Sequence, residues 1–255
     1  MAKIMILGAT GSLGKHVTEQ AVAANHDVSV LVRTPAKLPA DVRERVTVHQ
    51  ADIAALPAPQ LAALVRNQDA LINTAGLVSE GQRFVALIDH VVTSVETLPS
   101  SERPMCWFLA GFALLDIGDS SRRAVELPTI KKTYWPHAEN FTRLRSSSLD
   151  WRLLCPGPMV EEPPVGLDRL RVASDRLPVD TPGAVSWLPD LLLLPFIARR
   201  VPEMIVPYAD AAALMLSNLQ PASTMSRHRI GLALPIGMRG KKARWSARPA
   251  TAGTV

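Results

Sequence analysis

The chain has 255 residues, enough to bury a full core in one α/β unit, and 28 basic against 23 acidic residues give a net charge of +5. The stretch 227–255 carries Arg227, Arg229, Arg239, Lys241, Lys242, Arg244 and Arg248 with no acidic residue, so the body is near neutral and a nucleic-acid-binding face is not expected. Cys106 and Cys155 each lie in an apolar run and read as buried thiols, not a disulfide or a metal pair, and no metal site is expected.

The N-terminal stretch organises the rest. Residues 3–7 are a short apolar run, read as a buried parallel strand, and Leu13, Val17 and Ala21 have helical spacing. Between them lies Gly8-x-x-Gly11-x-x-Gly14. Gly8 permits a tight exit from the strand, Gly11 lets backbone approach a pyrophosphate, and Gly14 lets the helix pack close. Thr10, Ser12 and Leu13 complete a cradle whose N–H groups and positive helix end face phosphates. An ordinary glycine-rich turn is the alternative, but the place of this one, between a strand and a helix with a second strand beyond, favours a dinucleotide site. In the form Gly-Ala-Thr-Gly-x-x-Gly the stretch resembles the fingerprint of the atypical short-chain dehydrogenase/reductase superfamily. Its nearest likeness is to the NAD(P)H-binding group that includes NmrA-like proteins and biliverdin/flavin reductases.

Residues 27–32 form the second strand. The acidic residue that would bind a ribose 2′-OH in an NAD site is replaced by Arg33, with Thr34 and Lys37 beyond. Two cations and a hydroxyl suit a 2′-phosphate, so NADP(H) is expected over NAD(H), the alternative being a solvated Arg33. A third strand, 45–50, leads to Asp52 and Ile53. The resemblance implies that these flank the adenine; a turn-capping aspartate is the other reading. A helix over 57–66 and a fourth strand over 69–73 follow, then Thr74-Ala75-Gly76, small enough to let the nicotinamide ribose pass close to backbone.

Ser79-Glu80-Gly81, which resembles the biliverdin/flavin reductase group, opens a long amphipathic helix to about residue 96. The fifth strand, 105–110, ends at Gly111, where most short-chain dehydrogenases place a Ser or Thr. The superfamily's Tyr-x-x-x-Lys pair, in which lysine lowers the phenol pKa, is broken: four residues beyond Tyr134 stands Ala138, and Lys131 and Lys132 precede it. Tyr134 and His137 remain as candidate catalytic groups facing the nicotinamide. Pro136 reads as the first turn of a helix, and His137 as either a solvated first-turn residue or a proton donor in the substrate pocket. Leu149-Asp-Trp then feeds a sixth strand and the Pro156-Gly-Pro158-Met159 turn. The resemblance implies that Pro158 and Met159 pack beside the nicotinamide amide.

Residues 161–200 are proline-rich and apolar. Their longest apolar stretch, 188–198, is too short to span a bilayer and holds Pro189 and Pro195; it lines an apolar pocket, packs as a helix or forms a homodimer face. Asp210 resembles a late helix-capping aspartate, and 229–235 reads as a final strand. With a strand at the very N-terminus no signal peptide is expected, and a cytoplasmic protein without a membrane span is the reading.

The whole reads as α/β: a Rossmann-like, doubly wound, mostly parallel sheet with a small C-terminal substrate-side region. Residues 1–237 form one NAD(P)-binding domain, with a cofactor half (1–160) and a substrate-side half (161–237), and 238–255 form a flexible basic tail. Two functions are compatible with the broken pair. One is an NADPH-dependent reductase of a small apolar or planar acceptor of flavin, quinone or enone type, which can collect its proton from solvent. The other is a non-catalytic NADP(H) sensor of the NmrA-like type. A nucleotide-sugar epimerase, which generally keeps the Tyr-Lys pair, ranks last.

Overall fold

The structure is a computed structural model in which residues 1–182, 185 and 188–241 are described. Short aliphatic runs give the strands: β1 (Lys3–Leu7), β2 (Asp27–Val32), β3 (Thr47–Gln50), β4 (Ala70–Asn73), β5 (Met105–Leu109) and β6 (Trp151–Cys155). Two residues, Met159–Val160, form β7, followed by β8 (Arg171–Ser174), β9 (Val206–Pro207) and β10 (Arg229–Ala233). Eight of these make one sheet in the order β3-β2-β1-β4-β5-β6-β10-β8, parallel except for β8 against β10. β7 and β9 pair separately. The order reverses between β1 and β4, and in such sheets the crevice at that switch, beyond the carboxyl ends of the strands, takes the ligand. Leu7 is in register with both Leu31 and Asn73, so the exits of β2, β1 and β4 lie side by side there.

The helices are α1 (Ser12–Ala23), α2 (Ala40–Arg43), α3 (Ala58–Val65), α4 (Gln82–Glu96), α5 (Pro128–Ser146), α6 (Asp190–Arg200) and α7 (Tyr208–Leu216). Both sheet faces are covered, which is why the central strands are largely apolar. Ile4, Ile6, Ile72 and Trp107 share a core with buried residues of α1 and α7. Met5, Leu7, Leu71 and Phe108 share the other with residues of α3, α4 and α5.

Several boundaries differ from the sequence reading. α5 begins at Pro128, not Pro136: both prolines suit a first turn, and the chain uses the earlier one. Pro136 is then interior, where it cannot donate to the carbonyl four residues back. β8 was not anticipated; it is an edge strand with the pattern Arg-Val-Ala-Ser and half-exposed side chains. Asp210 is structural, but not as a helix cap. Within the first turn of α7 it is 1% exposed, and its carboxylate accepts the Val165 and Gly166 N–H groups at 2.8 and 3.0 Å. Both cysteines are buried free thiols, with pKa values raised by burial. In α6, Leu193 and Ile197 are buried, whereas Leu191 is 84% exposed. Among the described residues no helix is long and apolar enough to cross a membrane. Most of the expected tail, 242–255, lies outside the described residues; ahead of it, Gly240 N–H donates to Pro202 O at 2.8 Å.

Candidate nucleotide-binding site

Backbone contacts explain the glycine loop. Gly8 leaves β1 with φ +83°, and a Cβ there would lie 2.7 Å from Ala75 N. A Cβ on Gly14 would lie 2.0 Å from Gly8 O and 2.8 Å from Thr74 Oγ1. No side chain fits either position. Gly11 precedes α1, and its N–H turns inward to Gly8 O at 2.9 Å. At the start of α1 the N–H groups of Ser12, Leu13 and Gly14 have no acceptor among the described residues. No side chain caps α1, and its first turn carries no acidic residue. The loop, with Thr10, Gly11 and Ser12 exposed and Leu13 buried, therefore offers donors and a positive helix end at the switch point.

The exit of β4 packs directly against the loop. Thr74 is held to β1: its hydroxyl donates to Leu7 O at 3.0 Å and lies 3.3 Å from Gly8 O. Ala75 N–H donates to Asn73 Oδ1 at 3.0 Å. Gly76 has φ +99°, and a Cβ there would meet the Phe84 ring at 2.3 Å. Small residues at 74–76 thus serve the close approach of two loops and of Phe84.

Arg33 and Lys37 stand at the end of β2, both exposed, with no side-chain hydrogen bond or ion pair among the described residues. Asp52 is also exposed, and its Oδ1 accepts the Ala54 N–H at 3.0 Å, the turn-forming role that was the alternative to adenine binding. Ile53 is buried in the core shared with Leu7 and Leu61.

At the end of β5 the arrangement changes. Gly111 has an extended backbone, φ −143°, and a Cβ there would stand 3.6 Å from His137 Nε2, an ordinary contact. His137 is not a solvated first-turn residue. It lies mid-helix, 8% exposed, edge-on to Phe84 at 5.6 Å between ring centroids and stacked with Tyr134 at 6.1 Å. Its Nδ1 is buried without a partner among the described residues, and burial pushes its pKa down to about 4. The imidazole is therefore neutral at neutral pH. Burial raises the Tyr134 phenol, with no offsetting cation.

Gly76, Phe84, His137 and Gly111 thus run continuously from the cradle to the end of β5. Two further polar groups, which the sequence reading missed, lie buried on the same elements: Asn73 Nδ2 and both amide atoms of Asn140 lack partners among the described residues. The signal for Asn140 was its spacing from His137, three residues on along the same buried face as Phe141 and Leu144. Pro158 and Met159 follow β6; Pro158 O accepts the Val206 N–H at 3.2 Å, and Met159 pairs with Val206.

A doubly wound sheet with a glycine cradle at its switch point defines a Rossmann-fold nucleotide-binding protein. The family model described as NAD(P)H-binding matches residues 8–181, and the chain belongs to that family. Among solved structures, it resembles a proposed NADH-flavin reductase from Streptococcus pneumoniae (19% identity, 92% of this chain and 100% of that one, TM-score 0.67). It also resembles an anaerobilin reductase from Escherichia coli O157:H7 (18% identity, 91% and 97% covered, TM-score 0.60). A third is a short-chain dehydrogenase/reductase from Veillonella parvula in complex with NADP (16% identity, 96% and 100% covered, TM-score 0.66). At these identities the likeness is one of fold. No curated protein matches the chain.

Proposed function

We propose that the protein is an NADPH-dependent reductase of a small planar, conjugated acceptor such as a flavin, quinone or enone. The observation that carries the cofactor half is Arg33, an exposed guanidinium without an ion-pair partner among the described residues, with Lys37 nearby, at the strand end where an NAD site would hold a carboxylate. Together they would take a 2′-phosphate, while the Ser12–Gly14 N–H groups would hold the pyrophosphate. Bound nicotinamide would supply the hydride.

The acceptor half rests on what surrounds His137. A neutral, buried imidazole beside Gly111 is a weak acid, and neither a hydroxyl at 111 nor a lysine four residues after Tyr134 assists it. A simple ketone needs a proton delivered as hydride arrives. A conjugated acceptor spreads the negative charge and takes its proton from water. His137 and Phe84 would orient such a plane, and the apolar surroundings would limit water. The names of the flavin and anaerobilin reductases are consistent with this class.

The same lack of a hydroxyl at Gly111 favours a second reading, a nucleotide sensor of the NmrA-like type that performs no chemistry. Titration with NADPH and NADH, on the protein and on Arg33→Ala, followed by an acceptor screen, separates the two. The reductase requires tighter NADPH than NADH binding, weakened about tenfold or more in the variant, and NADPH oxidation with at least one acceptor. Binding without turnover on any acceptor leaves the sensor.

A further inference from the structure

A second cavity, of about 580 Å³, lies at the opposite end of the sheet from the glycine loop, at the amino ends of β6 and β10. Phe141, Trp151 and Arg229, all buried, are among its lining residues. The Arg229 guanidinium stands 4.9 Å from the Phe141 ring centre, and Trp151 meets the same ring edge-on at 6.0 Å. The indole N–H of Trp151 is buried without an acceptor among the described residues.

The charges lining this cavity do not balance. Three carboxylates belong to it, and each is already held. Asp116 takes two bonds from Arg229, at 3.0 and 2.9 Å. Asp175 accepts Arg229 Nε at 3.0 Å and also bonds His228. Glu126 is gripped by Arg123 at 2.7 and 2.9 Å. Arg145 and Arg227, both exposed and lining the same cavity, have no carboxylate partner among the described residues. Arg145 lies 5.7 Å from the Phe141 ring centre, while Arg227 donates to Ser147 O and Arg145 O, each at 3.1 Å. A cationic ligand would meet two unmatched guanidiniums and engaged carboxylates. An anion would meet the two guanidiniums in a site of small-molecule size.

We propose that this cavity binds a small dianionic oxyanion, a phosphate monoester or a dicarboxylate, independently of the nucleotide. The ligand would sit between Arg145 and Arg227, above Phe141. α5 carries both this site, through Phe141 and Arg145, and His137, one turn before Phe141.

Calorimetric titration of the full chain with inorganic phosphate and, separately, succinate tests the assignment, with and without saturating NADPH. The expected result is saturable binding that Arg145→Glu weakens at least about tenfold, while Arg33→Ala and added NADPH leave it unchanged. A melting temperature for each variant confirms folding. Phosphate binding without succinate binding identifies the phosphorylated class, and the reverse identifies the dicarboxylate. No saturable binding of either probe, or binding that Arg145→Glu leaves intact, overturns the proposal. An anion lost to NADPH or to Arg33→Ala instead belongs to the glycine loop and also overturns it. Because Arg33→Ala and NADPH report on the nucleotide site separately, failure of the cofactor reading would not be mistaken for failure here.

Discussion

Gly14 and Gly111 stand on the two walls of one crevice, and they lack a side chain for different reasons. A Cβ on Gly14 would lie 2.0 Å from the Gly8 carbonyl oxygen, so packing forbids it. A Cβ on Gly111 would lie 3.6 Å from His137 Nε2, with an extended backbone that any residue adopts. The first glycine is demanded by geometry. The second is an omission of chemistry, a place where a hydroxyl would fit and is not used. The contrast separates the part of the crevice built to hold a common cofactor from the part that decides what the cofactor meets.

The largest effect expected is at the first wall. Gly14→Ala should cost about 4 kcal/mol or prevent folding, because backbone, not a flexible side-chain end, would have to yield. Denaturant unfolding of the purified variant measures it. A loss below about 1 kcal/mol would mean that α1 can move away from β1, and the contrast with Gly111 would fail.

His137 gives the next effect. Its folded-state pKa, about 4, lies below its ordinary 6.5, so the unfolded chain binds the proton more readily. This group's contribution to stability is therefore complete above pH 6.5 and lost as pH falls towards 4, by roughly 3 kcal/mol in all. His137→Gln should remove that slope, so wild type should lose more stability than the variant between pH 7.5 and 4. Parallel slopes would show that the imidazole is solvated. The same neutrality predicts no loss of turnover, as pH rises from 5.5 to 8, that His137→Gln abolishes.

The two walls were unequally legible in the sequence. The spacing of Gly8, Gly11 and Gly14 could be read because a strand–helix turn over phosphate allows few solutions, and a missing side chain is visible in one dimension. The first six strands were legible along the chain as well, from their short apolar runs, but not their order in the sheet. The position of His137 was harder. Pro128 and Pro136 both suit a helix start, and only tertiary packing on α4 selects the first. Asp210 was legible as structural, but the N–H donors it accepts from lie 44 and 45 residues away in sequence. The Arg229–Asp116–Asp175 network was not legible at all, because it joins groups as far as 113 residues apart through an unanticipated edge strand. Arg33 was visible by position alone, and its exposure agrees with either reading of it.

Between the two walls in size of effect stands the segment after β6. Asp210→Ala would leave the Val165 and Gly166 N–H groups without their acceptor and should cost about 2 kcal/mol. Because these bonds pin the chain beyond Pro158 and Met159, hydrogen exchange should rise at Val165 and Gly166 before the sheet opens. If exchange there stays slow, the two-stranded pair of β7 and β9 holds the segment alone.

The smallest structural effect belongs to Gly111→Ser, and it is the sharpest probe of the contrast. The extended backbone at 111 accepts a Cβ, and the nearest atoms stand 3.6 and 3.7 Å away on the His137 ring. Stability should change by less than about 1 kcal/mol, and NADPH affinity should not change, since the glycine loop is untouched. Gly14→Ser, the same substitution at the first wall, should behave like Gly14→Ala. If both serines were tolerated, or both rejected, the walls would not differ in kind. If only Gly111→Ser is tolerated, the restored hydroxyl lies against the buried His137 imidazole beside the end of β5. Any gain in turnover of a simple ketone over the wild type would then measure what the omission at 111 withholds.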